Sequence, residues 1–288
     1  MKRREFLGKT ALGLGAAWLG SKGLATVASG APGKFSATDI VTLGKTGIQT
    51  SRLAMGTGTS GYNKSSNQAK LGVQGLADLL WAGYDQGIRF LDVADSYGTH
   101  PHAAEALKRM PRDKVVVLTK SWARDAEGMR KDLDRFRKEL NVDQIDILLM
   151  HCQTEGDWTT RHRGAMDVLS EAKEKKIIRA HGCSCHSIEA LRAAAKSPWV
   201  EVDLARLNPI GAHMDANPQT VLSVLWEMRA AGTGIIGMKI LGQGDMRRRQ
   251  DEALKYALSS GVLDAFTIGA ENRDEQADLL KRIGATTV

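Results

Sequence analysis

The stretch "RFLDVADSYG", residues 89–98, runs apolar, carries a carboxylate at Asp92 and ends on Asp95, Ser96, Tyr97 and Gly98. A short apolar run stopped by polar residues and a glycine reads as a buried strand. A charge within such a strand is costly unless it is paired. Asp92, with Asp95, Ser96 and Tyr97 closing the strand, calls for an architecture that gathers strand ends.

The flanking segments suggest that architecture. "DIVTLGKTGIQT" (39–50) reads as a hairpin, with Gly44 and Gly47 at its turn, and "SRLAMGTG" (51–58) as a first strand. Further strands are expected at 89–93, 114–120, 146–151, 177–184, 202–208, 234–240 and 263–269. Apolar spacings of three and four predict helices over 69–86, 102–110, 125–140, 163–175, 187–196, 217–231, 248–260 and 272–283. Eight strands, each followed by a helix, predict a closed (β/α)8 TIM barrel over residues 38–288, preceded by the short N-terminal hairpin. In such a barrel the reactive groups sit at the C-terminal strand ends, which is where Asp92, Tyr97, Lys120, His151 and Ser184 fall.

The chain of 288 residues is 42% hydrophobic and 25% charged, sufficient for one large core. Its net charge of +7 does not indicate a nucleic-acid partner. Residues 1–30 hold five bases against one acid, which leaves +3 for the rest. The later runs "MRRRQDE" (246–252) and "EAKEKKIIR" (171–179) are broken by acids, as on solvated helix faces.

Residues 1–30 read as a signal peptide: a basic start "MKRREFLGK", an apolar run "TALGLGAAWLG" (10–20) and a small-residue stretch "LATVASGA" (24–31). Arg3 and Arg4, followed by Phe6, Leu7 and Lys9, resemble the twin-arginine export signal, which a receptor reads and which carries proteins across already folded. The resemblance implies the twin-arginine export machinery as a partner and a periplasmic or otherwise exported location, with cleavage near 28–31. An inefficient signal would leave the protein cytoplasmic. The apolar run is too short for a permanent span, so no stable membrane span is expected after cleavage.

From about residue 39 to 283 the chain resembles the aldo-keto reductases. "LDVADSYG" resembles their Asp-x-Ala-x-x-Tyr-Gly signature, "VVVLTK" their lysine strand, "DILLMH" their histidine strand, and "KKIIRAHGCSCH" (175–186) a segment that normally ends Gly-x-Ser-Asn. The resemblance places Asp92, Tyr97, Lys120 and His151 on the family's catalytic tetrad, and implies nicotinamide-dependent reduction of a carbonyl or oxidation of the alcohol. The chemistry needs these types together. A phenol, with a pKa of about 10, is a weak acid near neutrality and requires a cation beside its phenolate. Lys120 is the expected cation, Asp92 its anchor, His151 the group that orients the substrate oxygen, and Tyr97 the proton donor.

The same resemblance assigns cofactor contacts to Gly56, Thr57 and Ser184, and to Cys185 in place of the usual asparagine. Leu204 stands where a glutamine is usual and Met238 where some members stack an aromatic ring. "KILGQG" (239–244) resembles the loop across the pyrophosphate and implicates Lys239, Leu241 and Gly242. "TIGAENRDEQADLL" (267–280) corresponds to the segment around the adenosine, with Gly269, Asn272, Arg273 and Glu275 as contacts. A carboxylate at Glu275 suits a ribose hydroxyl and repels a 2′-phosphate, which leans toward NAD over NADP; Arg273 pulls the other way. Trp122 and Trp158, with Tyr62 and His100, are expected to line a pocket for a small carbonyl or sugar-like substrate.

"HGCSCH" (181–186) superficially resembles a metal site. No metal is expected there, because alternate residues of one strand share a face whereas ligands must converge from separate elements. Cys183 and Cys185 read as small buried residues, and an i, i+2 pair is poorly placed for a disulfide. Export from the cytoplasm separates the protein from the exchangeable nicotinamide pool, so three readings stay open: an ordinary reductase, a barrel that keeps NAD bound for internal redox or epimerisation of a sugar, and a non-catalytic redox sensor or partner subunit.

Overall fold

The computed structural model describes residues 34–287, so the leader expected at 1–30 lies outside the described residues. Strands β1 (Ile40–Thr42) and β2 (Gln49–Ser51) pair antiparallel as the expected hairpin. Eight parallel strands follow: β3 (Leu53–Gly56), β4 (Phe90–Asp92), β5 (Val116–Ser121), β6 (Ile145–Gln153), β7 (Ile178–Cys185), β8 (Val202–Arg206), β9 (Gly234–Met238) and β10 (Ala265–Ile268). They pair in chain order, and β10 closes on β3 to complete the barrel.

Helices α1 (Gly72–Asp85), α2 (His100–Leu107) and α3 (Ala126–Leu140) cover the first half. A short α4 (Trp158–Arg161), which the apolar spacing does not foretell, precedes α5 (Arg163–Glu174). The ring continues with α6 (Ile188–Ala195), α7 (Pro218–Ala231), α8 (Gln250–Ser259) and α9 (Arg273–Ala285). Their starts follow local chemistry: Asp125, Ser187, Asn217 and Asn272 each accept an early amide of the helix they open. No helix among the described residues is long and apolar enough to cross a membrane.

Two apolar layers result from the strands' alternation. Phe90, Leu118, Ile147, Leu149, Leu204 and Ile236 fill the barrel, and Leu43 and Ile48 of the hairpin join the same cluster. The outward-facing residues form a second, larger layer beneath the helices. The hairpin is fastened at the N-terminal strand ends, where Gly44 donates its amide to Asp264 at 3.0 Å and Lys45 to Gly232 O at 2.9 Å. With the hairpin across that end, a ligand site is expected at the C-terminal ends of the strands.

Candidate active site

The partner that Asp92 requires is Lys120. Asp92 ends β4 and Lys120 lies near the end of the neighbouring β5, and Lys120 Nζ donates to Asp92 Oδ1 at 2.5 Å and to Val93 O at 3.0 Å. The second carboxylate oxygen accepts from Thr267 on β10 at 2.8 Å, a contact no sequence motif announces. Burial opposes the lysine's charge, yet Asp92 and Tyr97 together raise Lys120 above its ordinary range, so it stays an ammonium.

Tyr97 follows β4 on a tight turn. That turn is tied down by Asp95, which pairs with Arg135 of α3 at 2.6 Å and with Lys64, and by the Lys64 amide donating to Ser96 O at 2.8 Å. Gly98 has φ +70°, and a Cβ there would meet Lys64 O at 2.4 Å, so only glycine lets the two loops close. The phenol ring lies in a slot: a Cβ on Gly58 would stand 2.3 Å from it and one on Gly61 2.4 Å. Lys120 Nζ is 4.6 Å from the ring centroid. Burial raises the phenol's pKa above its ordinary value, and Lys120 works against that rise, as expected of a cation beside a phenolate.

His151 lies within β6, just before an irregularity at Met150/Gln153 where Cys152 takes φ +57°. Arg124 holds this bend by donating to His151 O at 2.6 Å and Cys152 O at 3.1 Å. The His151 ring meets Tyr97 edge-on at 5.9 Å and Trp122 at 5.1 Å, with His186 at 6.5 Å. Burial, followed by the charges of Lys120 and Arg124 and by His186, pushes His151 well below the usual histidine range, so it is a neutral imidazole.

These groups floor a cavity of about 550 Å³ lined by Asp92, Tyr97 and His151 at its base, by Gly56, Met238 and Gly269, and by Lys239 and Leu241 on one rim. Tyr62 and His186 form part of the wall. Gln243 and Gly244 of the 239–244 loop also line it, as does Arg247, which sequence reasoning missed; the arginine run at 247–249 was the available signal. Two cations, Lys239 and Arg247, beside glycines at which side chains are absent fit an anionic, flat ligand such as a dinucleotide pyrophosphate.

Several expected contacts fall elsewhere. Thr57 is fully buried behind the wall, its hydroxyl bonded to Asp92 O and Thr99 at 2.9 Å each. Ser184 is buried, with Oγ accepting the Cys152 amide at 2.9 Å, and strand alternation turns Cys185 into the outer layer beside Cys183. Gly242 shapes its loop at φ +57° without reaching the cavity lining. Trp158 is not a pocket residue: it is 0% exposed in the outer layer, its indole N–H donating to Ala190 O. His100 is likewise buried, bridging Thr119 and Glu139 at 2.7 Å each. Asn272 and Glu275 form a capping box on α9, with Glu275 accepting from the Glu271 amide at 2.8 Å and Asn272 Nδ2 at 3.0 Å. They and the exposed Arg273 lie outside the cavity lining.

A closed parallel barrel with a buried Asp–Lys pair, a phenol and a neutral imidazole at its open end defines a barrel with an acid–base site. Residues 52–280 match the aldo/keto reductase family, more than half of the chain, and the chain belongs to that family. Similar curated proteins include an NADH-specific methylglyoxal reductase of Escherichia coli, 29% identical over 50% of this chain and 51% of that protein. A D-threo-aldose 1-dehydrogenase of a Pseudomonas species is 23% identical over 58% of this chain and 59% of that protein. The chain thus spans between about half and three fifths of the length of these relatives. Among solved structures, an aldo-keto reductase of Bacillus halodurans in its holo form superposes with a TM-score of 0.73 at 16% identity, covering 87% of this chain and 92% of that one, a likeness of fold.

Proposed function

We propose that the protein is a nicotinamide-dependent oxidoreductase that reduces a small aldehyde, ketone or sugar-like carbonyl, or oxidises the alcohol. One observation carries this reading: the buried Lys120 ammonium, fixed by Asp92, lies against the Tyr97 ring beside a neutral His151 on the cavity floor. A bound NAD(P)H supplies hydride to the carbonyl carbon. Tyr97, kept protonated by its raised pKa, gives its phenolic proton to the developing alkoxide. Lys120 stabilises the phenolate that remains, Asp92 keeps Lys120 charged, and His151 offers an N–H to the substrate oxygen.

A preference for NAD would rest on the charge of Glu275 alone, since its oxygens are engaged in the α9 cap and it lies outside the cavity lining. The relatives' names include both NADH-specific and NADPH-dependent enzymes, so they lend no preference. The names methylglyoxal reductase and aldose dehydrogenase favour small aldehydes and sugars as substrates. We also propose that residues 1–30 direct twin-arginine export of the folded barrel, and that replacing Arg3 and Arg4 by lysine retains it in the cytoplasm; unchanged export would sink this. The catalytic reading is tested by Tyr97→Phe, which should lower carbonyl reduction by about 10²–10⁴-fold while NADH still binds. Undiminished turnover in that variant would overturn it.

A further inference from the structure

Two clusters of metal-ligating side chains occur among the described residues; Asp95, His100 and Glu139 brace the Tyr97 turn and α3, and the other is used by no contact of the site. Cys183 and Cys185, two residues apart on β7, share its outer face, and Asp203 is the register partner of Cys183 on the adjacent β8. The sequence presents two sulfurs on one strand; the barrel adds a carboxylate from a second strand, which is the convergence a metal site requires. Their ligand atoms all lie within 4.8 Å of one another.

We propose that Cys183, Cys185 and Asp203 form a closed structural site for a thiophilic divalent cation of the zinc class.

The spacing fits. A tetrahedral ion with metal–sulfur bonds of about 2.3 Å and metal–oxygen bonds of about 2.0 Å spans a sulfur–sulfur edge of about 3.8 Å and a sulfur–oxygen edge of about 3.5 Å. Here the two Sγ atoms are 3.8 Å apart and Cys183 Sγ is 3.4 Å from Asp203 Oδ1. Thiol hydrogen bonds alone leave Asp203 Oδ2 buried with no partner. A cation chelated by both carboxylate oxygens satisfies that atom and has four donors, in a tetrahedron compressed at the carboxylate, whose two oxygens lie closer together than a regular tetrahedral edge. All three residues are essentially inaccessible to solvent, so the site keeps no open position for substrate and is structural in kind. On binding, each thiol loses its proton to solvent as a metal–sulfur bond forms.

The location gives the ion a task. It would clasp the end of β7 to β8, one residue either side of Ser184, whose hydroxyl holds the Cys152 amide next to His151. The ion therefore stiffens the strand end behind the site without touching substrate.

The experiment uses the untagged full chain, stripped with a chelator under reducing conditions and titrated with cobalt(II) and then zinc(II). One equivalent of cobalt should produce a thiolate-to-metal charge-transfer absorbance in the near ultraviolet, zinc should displace it, and the thermal midpoint should rise. Asp203→Asn should weaken binding at least about tenfold. The paired change Cys183→Ala with Cys185→Ala should abolish the absorbance, and Cys152→Ser should leave it intact. The wild-type titration decides even where a variant fails to fold. Absence of charge-transfer absorbance and of any thermal shift in the wild type would overturn the proposal, as would unchanged binding in the folded double-alanine variant.

Discussion

Lys120 Nζ stands 2.5 Å from Asp92 Oδ1 with the lysine side chain 0% exposed, although the two residues come from different strands. Removing one partner of such a pair strands the other charge in the interior. Asp92→Ala should therefore cost about 3–5 kcal/mol of stability, in addition to abolishing activity. The double variant Asp92→Leu, Lys120→Met should recover much of that stability and none of the activity. Denaturant midpoints check the first outcome and turnover the second; a single variant as stable as the parent would show that the lysine finds another partner.

The slot around Tyr97 predicts an effect from the smallest possible side chain. Gly58→Ala places a methyl 2.3 Å from the ring, so the phenol must move. Turnover should fall by about 10²-fold, on the scale of a 1 Å misplacement, with little change in NADH affinity. Equal losses in binding and turnover would point to a collapsed cavity instead.

Stability should depend on pH through buried histidines. His151 is held well below the ordinary value of 6.5, and burial lowers His186 to about 3 and His181 to about 4. A histidine whose folded pKa is depressed contributes stability above its unfolded pKa and loses it as pH falls toward the folded value. The urea midpoint should thus drop between pH about 6.5 and about 4.5, an effect partly offset by Asp203, whose carboxyl burial lifts to about 7 so that its protonation favours the fold over the same interval. His186→Gln should flatten that decline, and a midpoint constant over the interval in the parent would contradict the assignment of neutral buried imidazoles.

Glu275 combines a charge with a cap. Glu275→Gln keeps one of the two acceptor oxygens that take the Glu271 amide and Asn272 Nδ2 while removing the charge, so it should shift the NADH-to-NADPH affinity ratio toward NADPH at a cost of under about 1 kcal/mol in stability. Glu275→Arg should shift the ratio further but lose about 1 kcal/mol with the cap. Arg273→Ala is the control. Direct titration measures the ratio, and a parent that binds NADPH far better than NADH, losing that margin in Arg273→Ala, would place the 2′-phosphate on the arginine.

The barrel was legible because its signal is repetitive and local. Eight alternations of strand and helix repeat the same periodicity, and the helix limits expected at 125–140 and 163–175 lie within one residue of α3 and α5. Asp92, Tyr97, Lys120 and His151 were singled out by the resemblance of their motifs, taken in order, and the structure brings them together at one end of the barrel. Trp158 and His100 were misplaced because an aromatic ring after a strand can face the mouth or the helix layer, and composition does not distinguish these directions.

By itself the sequence determined the eight strand–helix alternations of the barrel, the hairpin before them and the residue types available to the site, because periodicity and strand-end polarity depend on near neighbours in the chain. Direction and partnership were decided only in three dimensions. Thr267 reaches Asp92 across 175 positions, Gly58 and Gly61 shape the slot for Tyr97, and Asp203 meets Cys183 through the β7–β8 register. Strand register fixes which side chains share a face, and it is a long-range property: the Asp92–Lys120 pair could be anticipated from the resemblance of their motifs, whereas the turn of Cys185 away from the cavity and toward Asp203 follows from the pleat of one strand set against its neighbour.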